Sequence, residues 1–200
     1  MSKKIDKKGD LILQAAIELF GKNGYEATSI IDIAKKSALG VGTVYNAYKS
    51  KEALYQECVY CVIQNVINVI LDECKRVEGL KEKLLKVALI RFEHWNKYRD
   101  SLYELMTNTP LLTQKIRSSI MNPHKELQEF LSKLFATLDG DEYTFKSKDY
   151  DFLAVIFIST LDSLLHGWIH LGIDIEKEYS NRAELLVDHF LNGTTTKGGN

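Results

Sequence analysis

Apolar and polar residues alternate near the start of the chain with the period of amphipathic helices. A first helix is predicted by apolar residues at the i, i+3, i+4, i+7 and i+8 positions of one face, namely Ile12, Ala15, Ala16, Leu19 and Phe20. It is expected to end near Gly24, since glycine readily adopts the left-handed conformation that closes helices. A second short helix follows, with Thr28 or Ser29 as the N-cap and Asp32 placed for a capping box.

The stretch that comes next, ALGVGTVYNAYKSKEAL, begins at Ala38 and contains two closely spaced glycines. A phosphate-binding glycine loop requires further glycines or a GK[ST] ending, and it follows a buried strand. Gly40 and Gly42 have neither feature, because a helical pattern precedes them. The pattern instead predicts a tight turn and a third short helix, from Gly40 to about Tyr48. Ser50 is the predicted cap of a longer helix that follows.

Two short helices joined by a three- or four-residue turn form the helix-turn-helix pattern. The segment AAIELFGKNGYEATSIIDIAKKSALGVGTVYNAYKSKEAL resembles the DNA-binding domain of the tetracycline-repressor (TetR) family. Ala38 stands where that family usually has a glycine, which costs ~1 kcal/mol if the residue is left-handed. Gly40 replaces the usual capping serine. The resemblance depends on these positions: Ala16, Leu19, Phe20, Gly24, Thr28, Ile33, Ala34, Gly42, Thr43, Tyr45, Lys51, Glu52 and Leu54.

The rest of the chain shows helical periodicity and no alternating strand pattern, so an all-α fold is expected. Asn122 and Pro123 look like an N-cap and a first helical turn, and 138–149 is the longest polar connection. We expect a three-helix DNA-binding head at 1–50, a helical effector-binding and dimerisation body at 51–193, and a disordered tail at 194–200. Helices are predicted near 51–74, 80–98, 101–107, 110–120, 123–138, 148–171 and 176–192.

Composition and charge sharpen this division. Apolar residues make up 45% of the chain and charged residues 26%, as in ordinary globular proteins. Residues 1–52 contain nine lysines, six acidic residues and no arginine, while the remainder is acidic overall. A basic head on an acidic body indicates that the head meets a polyanion. Three cysteines and the lack of an apolar leader favour a reducing cytoplasm.

The predicted recognition helix would lie in the major groove of double-stranded DNA. The resemblance implies phosphate contacts from the hydroxyl groups of Thr43 and Tyr45. Valine suits a thymine methyl group and asparagine suits adenine, so a head without arginine favours an A·T-rich half-site. Lys3, Lys4, Lys7 and Lys8 would follow the backbone or the minor groove. The predicted DNA-contacting set is Thr28, Ser29, Val41, Gly42, Thr43, Val44, Tyr45, Asn46, Tyr48 and Lys51, although Val44 and Tyr48 also fit the core of the head.

The segment 147–173 is apolar on almost every face, as expected of a helix buried on all sides or crossing a membrane. Asp162 in mid-span makes a membrane span unfavourable by ~2.5–3.5 kcal/mol. A helix that packs on its own chain and on a second copy explains the pattern better, and it would join the last helix in a four-helix bundle. The predicted homodimer interface is Leu164, Gly167, Trp168, Leu171, Leu186, His189 and Phe190.

A ligand pocket is predicted inside the body, between the helices near 80–98, 123–138 and 148–171. An apolar or aromatic small effector is expected, because aromatic residues surround a few polar groups. Asp162 could alternatively pair with His166 on its own helix. The predicted pocket residues are Arg91, Phe92, His94, Trp95, Tyr98, Tyr103, Phe130, Phe157 and Asp162.

These features predict a repressor that binds a palindromic operator as a homodimer and is released by its effector. The helix at 51–74 would transmit the change from body to head. Two alternatives remain open: a thiol-responsive regulator that uses Cys58 and Cys61, and a helical carrier of lipophilic ligands. No catalytic motif, cofactor fingerprint or second pair of zinc ligands is found, so an enzyme, a bound cofactor and a metal site are not expected.

Overall fold

The computed structural model describes the backbone of residues 7–108, 110–171 and 179–197, and the side chains of these residues outside 95–120, 166, 168–171, 179 and 197. The described residues form an all-α fold with one short two-stranded ribbon, which confirms the predicted fold class. The elements are α1 (Lys7–Asn23), α2 (Ile30–Lys36), α3 (Val41–Ala47), α4 (Lys51–Cys74), α5 (Leu80–Asn108), α6 (Pro110–Leu138), β1 (Tyr143–Phe145), α7 (Tyr150–Leu171), α8 (Tyr179–Thr194) and β2 (Thr195–Lys197).

The chain divides into two compact units. Unit 1 comprises Met1–Gln64 and Tyr98–Asn122, and unit 2 comprises Asn65–Lys97 and Pro123–Asn200. The chain therefore passes from one unit to the other within α4. The division predicted from sequence, with a functional boundary at residue 50, remains a prediction.

Unit 1 contains the three short helices in the predicted places. Gly24 ends α1 at φ +77°, and its amide donates to the carbonyl of Phe20 at 3.0 Å. Ser29 is the N-cap of α2: its Oγ accepts from the Asp32 amide at 3.1 Å, and the Asp32 carboxylate accepts from the Ser29 amide at 3.1 Å. This is the predicted capping box. The Ser29 hydroxyl and then the Ser29 amide donate to the Asp32 carboxylate, and these two hydrogen bonds lower the pKa of Asp32.

The core of unit 1 fixes the helix-turn-helix. Ile12, Ala16, Ile33, Val44 and Leu54 have no exposed surface. Ile12 and Ala16 belong to the apolar face predicted for the first helix. The turn between α2 and α3 places Ala38 at φ +55°, in the left-handed conformation. Gly40 precedes α3 in an extended conformation as its N-cap, without a side-chain hydrogen bond.

Unit 2 has its own core, to which α4, α5, α6, α7 and α8 all contribute. Fully buried aromatic rings occupy its centre, with Phe157 packed edge-on against Phe190 and Phe135 stacked on Phe190. Asp149 caps α7, because its carboxylate accepts from the Phe152 amide at 3.0 Å.

Helix α4 is tied down at both ends. Ser50 caps its start, as predicted, by accepting from the Ala53 amide at 3.1 Å. At its end, Lys83 Nζ donates to the carbonyls of Cys74 and Val77 at 2.5 and 2.6 Å. By length and composition α4 is the one helix in the described part of the chain that could cross a membrane, a test that core helices of globular proteins also meet.

Two predicted helix boundaries are wrong. The predicted breaks near 98–101 and 120–123 fall inside continuous helices α5 and α6, and Pro123 is internal to α6 rather than in its first turn. A proline inside a helix costs roughly 3 kcal/mol. The burial of Pro123 itself and of Leu127, Leu131 and Phe135 along one face of α6 offsets that cost.

The strand prediction also needs correction. Residues 143–145, expected in a polar connection, pair antiparallel with residues 195–197, which were assigned to a disordered tail. Phe145 is buried and draws β1 onto the core. Asp139 accepts from the Phe145 amide and the Tyr150 hydroxyl and pairs with Lys148, and these contacts hold the pKa of Asp139 down at about 2. Residues 198–200 of that tail lie outside the described residues.

The left-handed Ala38 generates a prediction about stability. Ala38→Gly removes the clash of a Cβ atom at φ +55° and should raise the free energy of unfolding by ~1 kcal/mol. Urea unfolding followed by circular dichroism measures the change. Ala53→Gly, inside α4, is the matched control and should lower the free energy of unfolding by about 0.5–1 kcal/mol. Equal destabilisation by both variants would contradict the assigned turn.

Candidate nucleic-acid interface and effector site

Helix α3 has one buried side and one open side. Val44 has no exposed surface and packs into the core of unit 1, whereas Val41 is 38% exposed and Tyr45 is 50% exposed. Gly42 and Asn46 are also at the surface. The structure thus brings four of the predicted contact residues onto the open side of one short helix.

Gly42 has no packing role within the chain. A Cβ atom built at this residue meets no atom within 4 Å, and the residue lies inside a helix, where alanine is favoured by about 1 kcal/mol. The fold therefore does not require glycine at this position. A missing side chain here leaves the backbone of α3 open to the close approach of another molecule.

Three predicted contact residues face inward. Thr28 is 1% exposed, and its hydroxyl donates to the carbonyls of Gly24 and Leu19 at 2.8 and 3.2 Å, so it closes the α1–α2 corner rather than reaching a phosphate. Val44 anchors α3 and cannot reach a base. The Tyr48 hydroxyl donates to the carbonyl of Gly9 at 3.4 Å, and burial, followed by the charge of Glu57, raises the pKa of Tyr48 to about 12.

Lys51, the first residue of α4, is held against the segment between α1 and α2. Its Nζ lies 4.2 Å from the centre of the Tyr25 ring and donates to the carbonyl of Glu26 at 3.4 Å. Thr43 is partly buried, and Ser29 is exposed but already engaged in the capping box. Lys51, Thr43 and Ser29 therefore lie at positions from which a surface ligand can be contacted.

One candidate residue was missed from sequence. Ile31 on α2 is 67% exposed, more than any other large apolar residue in the described part of the chain. Ile30 and Ile33, which form the inward stripe of the same helix, are buried. The sequence did contain a signal for this residue, because Ile31 lies outside the inward stripe, where a polar residue is expected.

The positive charge near this surface comes from lysine. Lys7 and Lys8 belong to α1 rather than to the predicted flexible arm, and Lys3 and Lys4 lie outside the described residues. Lys36 pairs with Glu18 at 2.5 Å. Lys35 and Lys49 are exposed.

In unit 2, one acidic and two basic side chains meet where α5, α6 and α7 come together. Arg91 donates to the Asp162 carboxylate, and His124 Nε2 lies 3.6 Å from the other carboxylate oxygen. Burial acts to raise the pKa of Asp162, but the polar contact with His124 and the charge of Arg91 outweigh it and hold the pKa below its ordinary value. The side chain of His166, the alternative partner suggested for Asp162, lies outside the described residues.

The other predicted pocket residues divide into three groups. Phe92 and Phe157 are fully buried members of the core, and Phe130 packs against it with part of its surface exposed. His94 is partly buried. The side chains of Trp95, Tyr98 and Tyr103 lie outside the described residues. His124 was missed, because its sequence position next to Pro123 was interpreted as a helix start.

An apolar groove runs between α7 and α8. It has a volume of about 520 Å³, and four of the predicted dimer residues, Leu164, Leu186, His189 and Phe190, line it. Leu185 is 52% exposed in the same groove, and Phe152 and Val155 on α7 are 58% and 40% exposed. A Cβ atom at Gly167 would meet nothing within 4 Å. The side chains of Trp168 and Leu171 lie outside the described residues.

The cysteines have the character of packing residues. Cys58 is 3% exposed, and burial raises the pKa of its thiol far above the ordinary value; burial likewise raises the pKa of Cys61. A protonated, buried thiol reacts slowly with oxidants, so the arrangement does not favour the thiol-sensor alternative. In the part of the chain with described side chains, no group of three metal-binding residues is found.

Comparison with known proteins shows which family the first part of the chain is similar to. Residues 12–58 match the family described as "Bacterial regulatory proteins, tetR family". Over 156 residues the chain is 24% identical to IcaR of Staphylococcus aureus, an HTH-type negative transcriptional regulator of the biofilm operon icaADBC, covering 76% of this chain and 80% of IcaR. IcaR of Staphylococcus epidermidis is 26% identical over 155 residues, with the same coverage.

Solved structures share the fold along nearly the whole chain. The fatty acid degradation regulator FadR from Bacillus halodurans superposes with a TM-score of 0.75 at 19% identity, covering 96% of this chain and 98% of that protein. FadR from Bacillus subtilis, solved in complex with stearoyl-CoA, gives a TM-score of 0.69 at 21% identity, covering 92% and 98%.

The exposed Tyr45 and the tethered Tyr48 allow a matched test of the interface. Tyr45→Phe should weaken binding to duplex DNA about three- to tenfold, since one hydrogen bond to a phosphate is lost. Tyr48→Phe removes a hydroxyl that donates within the chain, so it should lower the free energy of unfolding and leave DNA affinity unchanged. Fluorescence anisotropy with a labelled duplex measures both affinities. The reverse pattern would refute the assigned orientation of α3.

Proposed function

Because this chain is a regulator of the tetR family of bacterial transcriptional regulators, we propose that it represses transcription by binding a palindromic operator as a homodimer. A small effector bound in unit 2 releases the operator. The observation that carries this proposal is the arrangement of α3, which is anchored by Val44 and presents Val41, Gly42, Tyr45 and Asn46 outward. A protein with this role acts in the cytoplasm, where the DNA is.

The exposed side chains suggest which bases are read. Val41 and Ile31 offer methyl groups that suit the methyl group of thymine, and Asn46 can bond to adenine through its amide. The basic side chains of the head are all lysines, so the arginine–guanine pair, the commonest specific contact, is not available there. We therefore propose an A·T-rich half-site, with phosphate contacts from Thr43, Tyr45 and Lys51.

Operator binding and the base preference are both tested by selecting binding sites from a random duplex pool with the purified full-length protein. We expect an inverted repeat of A·T-rich half-sites about one helical turn apart. Half-sites rich in G·C would refute the base preference while leaving the function intact. Failure to enrich any sequence at physiological salt would refute operator binding itself.

A homodimer is needed because a monomer cannot present two recognition helices about 34 Å apart, the distance of one duplex turn. The groove between α7 and α8 is proposed as the interface. Its walls are mostly apolar, and Leu185 in the groove is more than half exposed in a single chain, as is Phe152 elsewhere on α7. A second copy that packs its own α7 and α8 there would remove this surface from water in a four-helix bundle.

The effector is proposed to bind among α5, α6 and α7 in unit 2. The fold of the B. subtilis FadR accommodates stearoyl-CoA, which supports an apolar effector for a chain with this fold. An effector lowers operator affinity only by favouring a dimer shape with the wrong separation of the recognition helices. Helix α4 is the proposed transmitting element, since it continues from unit 1 into unit 2 and is capped at both ends.

The dimer proposal makes a prediction with an internal control. Leu185→Glu places a charge in the groove and should convert the protein to a monomer, with a loss of operator affinity of more than about 100-fold. Val69→Glu replaces an equally exposed residue on α4, outside the groove, and should change neither property. Analytical ultracentrifugation and gel-shift titration measure the two effects. A Leu185→Glu protein that remains dimeric would place the interface elsewhere.

A further inference from the structure

Unit 2 contains a buried hydrogen-bond donor that its own ion pair leaves unused. The Arg91 side chain is 10% exposed, and one of its terminal nitrogens donates to Asp162. Its Nε, in contrast, is buried and has no hydrogen-bond partner among the described residues. Burying an unpaired donor costs roughly 1–3 kcal/mol, and a donor on a charged group costs more. The cluster therefore lacks one acceptor atom.

The charge of the cluster limits what that acceptor can be. Asp162 is ionised at neutral pH, because its pKa is held below the ordinary value, and it already balances the charge of Arg91. A second carboxylate entering beside Arg91 would be repelled by Asp162 and would leave one anion unpaired in a partly buried site. A neutral carbonyl oxygen can accept from Nε–H without either penalty.

The residues around this cluster limit the chemistry of the rest of the ligand. Six residues within about one turn of Arg91, His124 and Asp162 on their helices are apolar and buried: Ala88, Phe92, Leu127, Ile158, Leu161 and Leu165. A ligand that reaches Nε must therefore bring its carbonyl group on an apolar body.

We propose that Arg91 Nε–H binds the neutral carbonyl oxygen of an apolar effector, such as an ester or thioester, and that Asp162 selects against the corresponding free carboxylate. This inference rests on the proposed effector-binding function of unit 2. It adds the chemical class of the effector, a residue that binds it and a residue that discriminates against its hydrolysed form.

The test uses the full-length protein and two probes of equal chain length, methyl decanoate and decanoate, with binding measured by isothermal titration calorimetry. The wild-type protein should bind the ester at least about tenfold more tightly than the acid. Asp162→Asn keeps the donor and removes the repelling charge, so it should reverse the preference. Arg91→Met combined with Asp162→Leu removes both charges together, which preserves the fold better than removing one, and should weaken ester binding about tenfold.

Arg76→Met is the matched control, since Arg76 is an exposed arginine of unit 2 paired with Glu73, and its loss should leave both affinities unchanged. The proposal is overturned if decanoate binds as tightly as the ester, if the double variant retains full ester affinity, or if the wild type binds no ester. Operator binding by the same variants is measured separately by gel shift. A protein that binds its operator but ignores the ester would disprove this inference and leave repression standing.

Discussion

The orientation of a seven-residue helix depends here on the burial of a single side chain. Helix α3 is too short to be stable alone, and Val44 is its one fully buried residue. Because Val44 packs against the core that Ile33 and Leu54 help to form, the opposite side of α3 has to face solvent. The capping box of α2 and the left-handed turn at Ala38 place α3 where that packing is possible. The contact surface follows from these constraints.

Much of unit 1 could be predicted from sequence, because its signals are local. The spacing of apolar residues located α1 and α2. Capping residues marked three boundaries: Gly24 the end of α1, Ser29 the start of α2 and Ser50 the start of α4. The errors have a local cause as well. Val44 was included in the contact surface although the same pattern also fitted the core, and burial decided between the two interpretations. Thr28 was a candidate N-cap and contact residue, but its hydroxyl bonds within the chain.

Unit 2 was harder to predict, because its features depend on contacts between distant residues. Pro123 is a strong local signal for a helix start, yet packing of the α6 face overrides it. The pairing of 143–145 with 195–197 joins segments about fifty residues apart, and strands of three residues show no periodicity. Arg91 and Asp162 were identified singly as unusual, but only the folded chain brings them together with His124. The apolar stripe on α8 could be predicted from sequence, although two of its residues, Leu186 and Phe190, are buried in the core of unit 2.

The absence of arginine from residues 1–52 has a consequence for regulation. Acetylation converts the ammonium of lysine into a neutral amide, whereas methylation of a guanidinium group keeps its charge. Every positively charged side chain in the segment that contains α1, α2 and α3 is therefore a lysine, whose charge acetylation removes. An acetyltransferase acting on exposed residues such as Lys35 and Lys49 could weaken attraction to nucleic acid in graded steps, without any ligand entering unit 2.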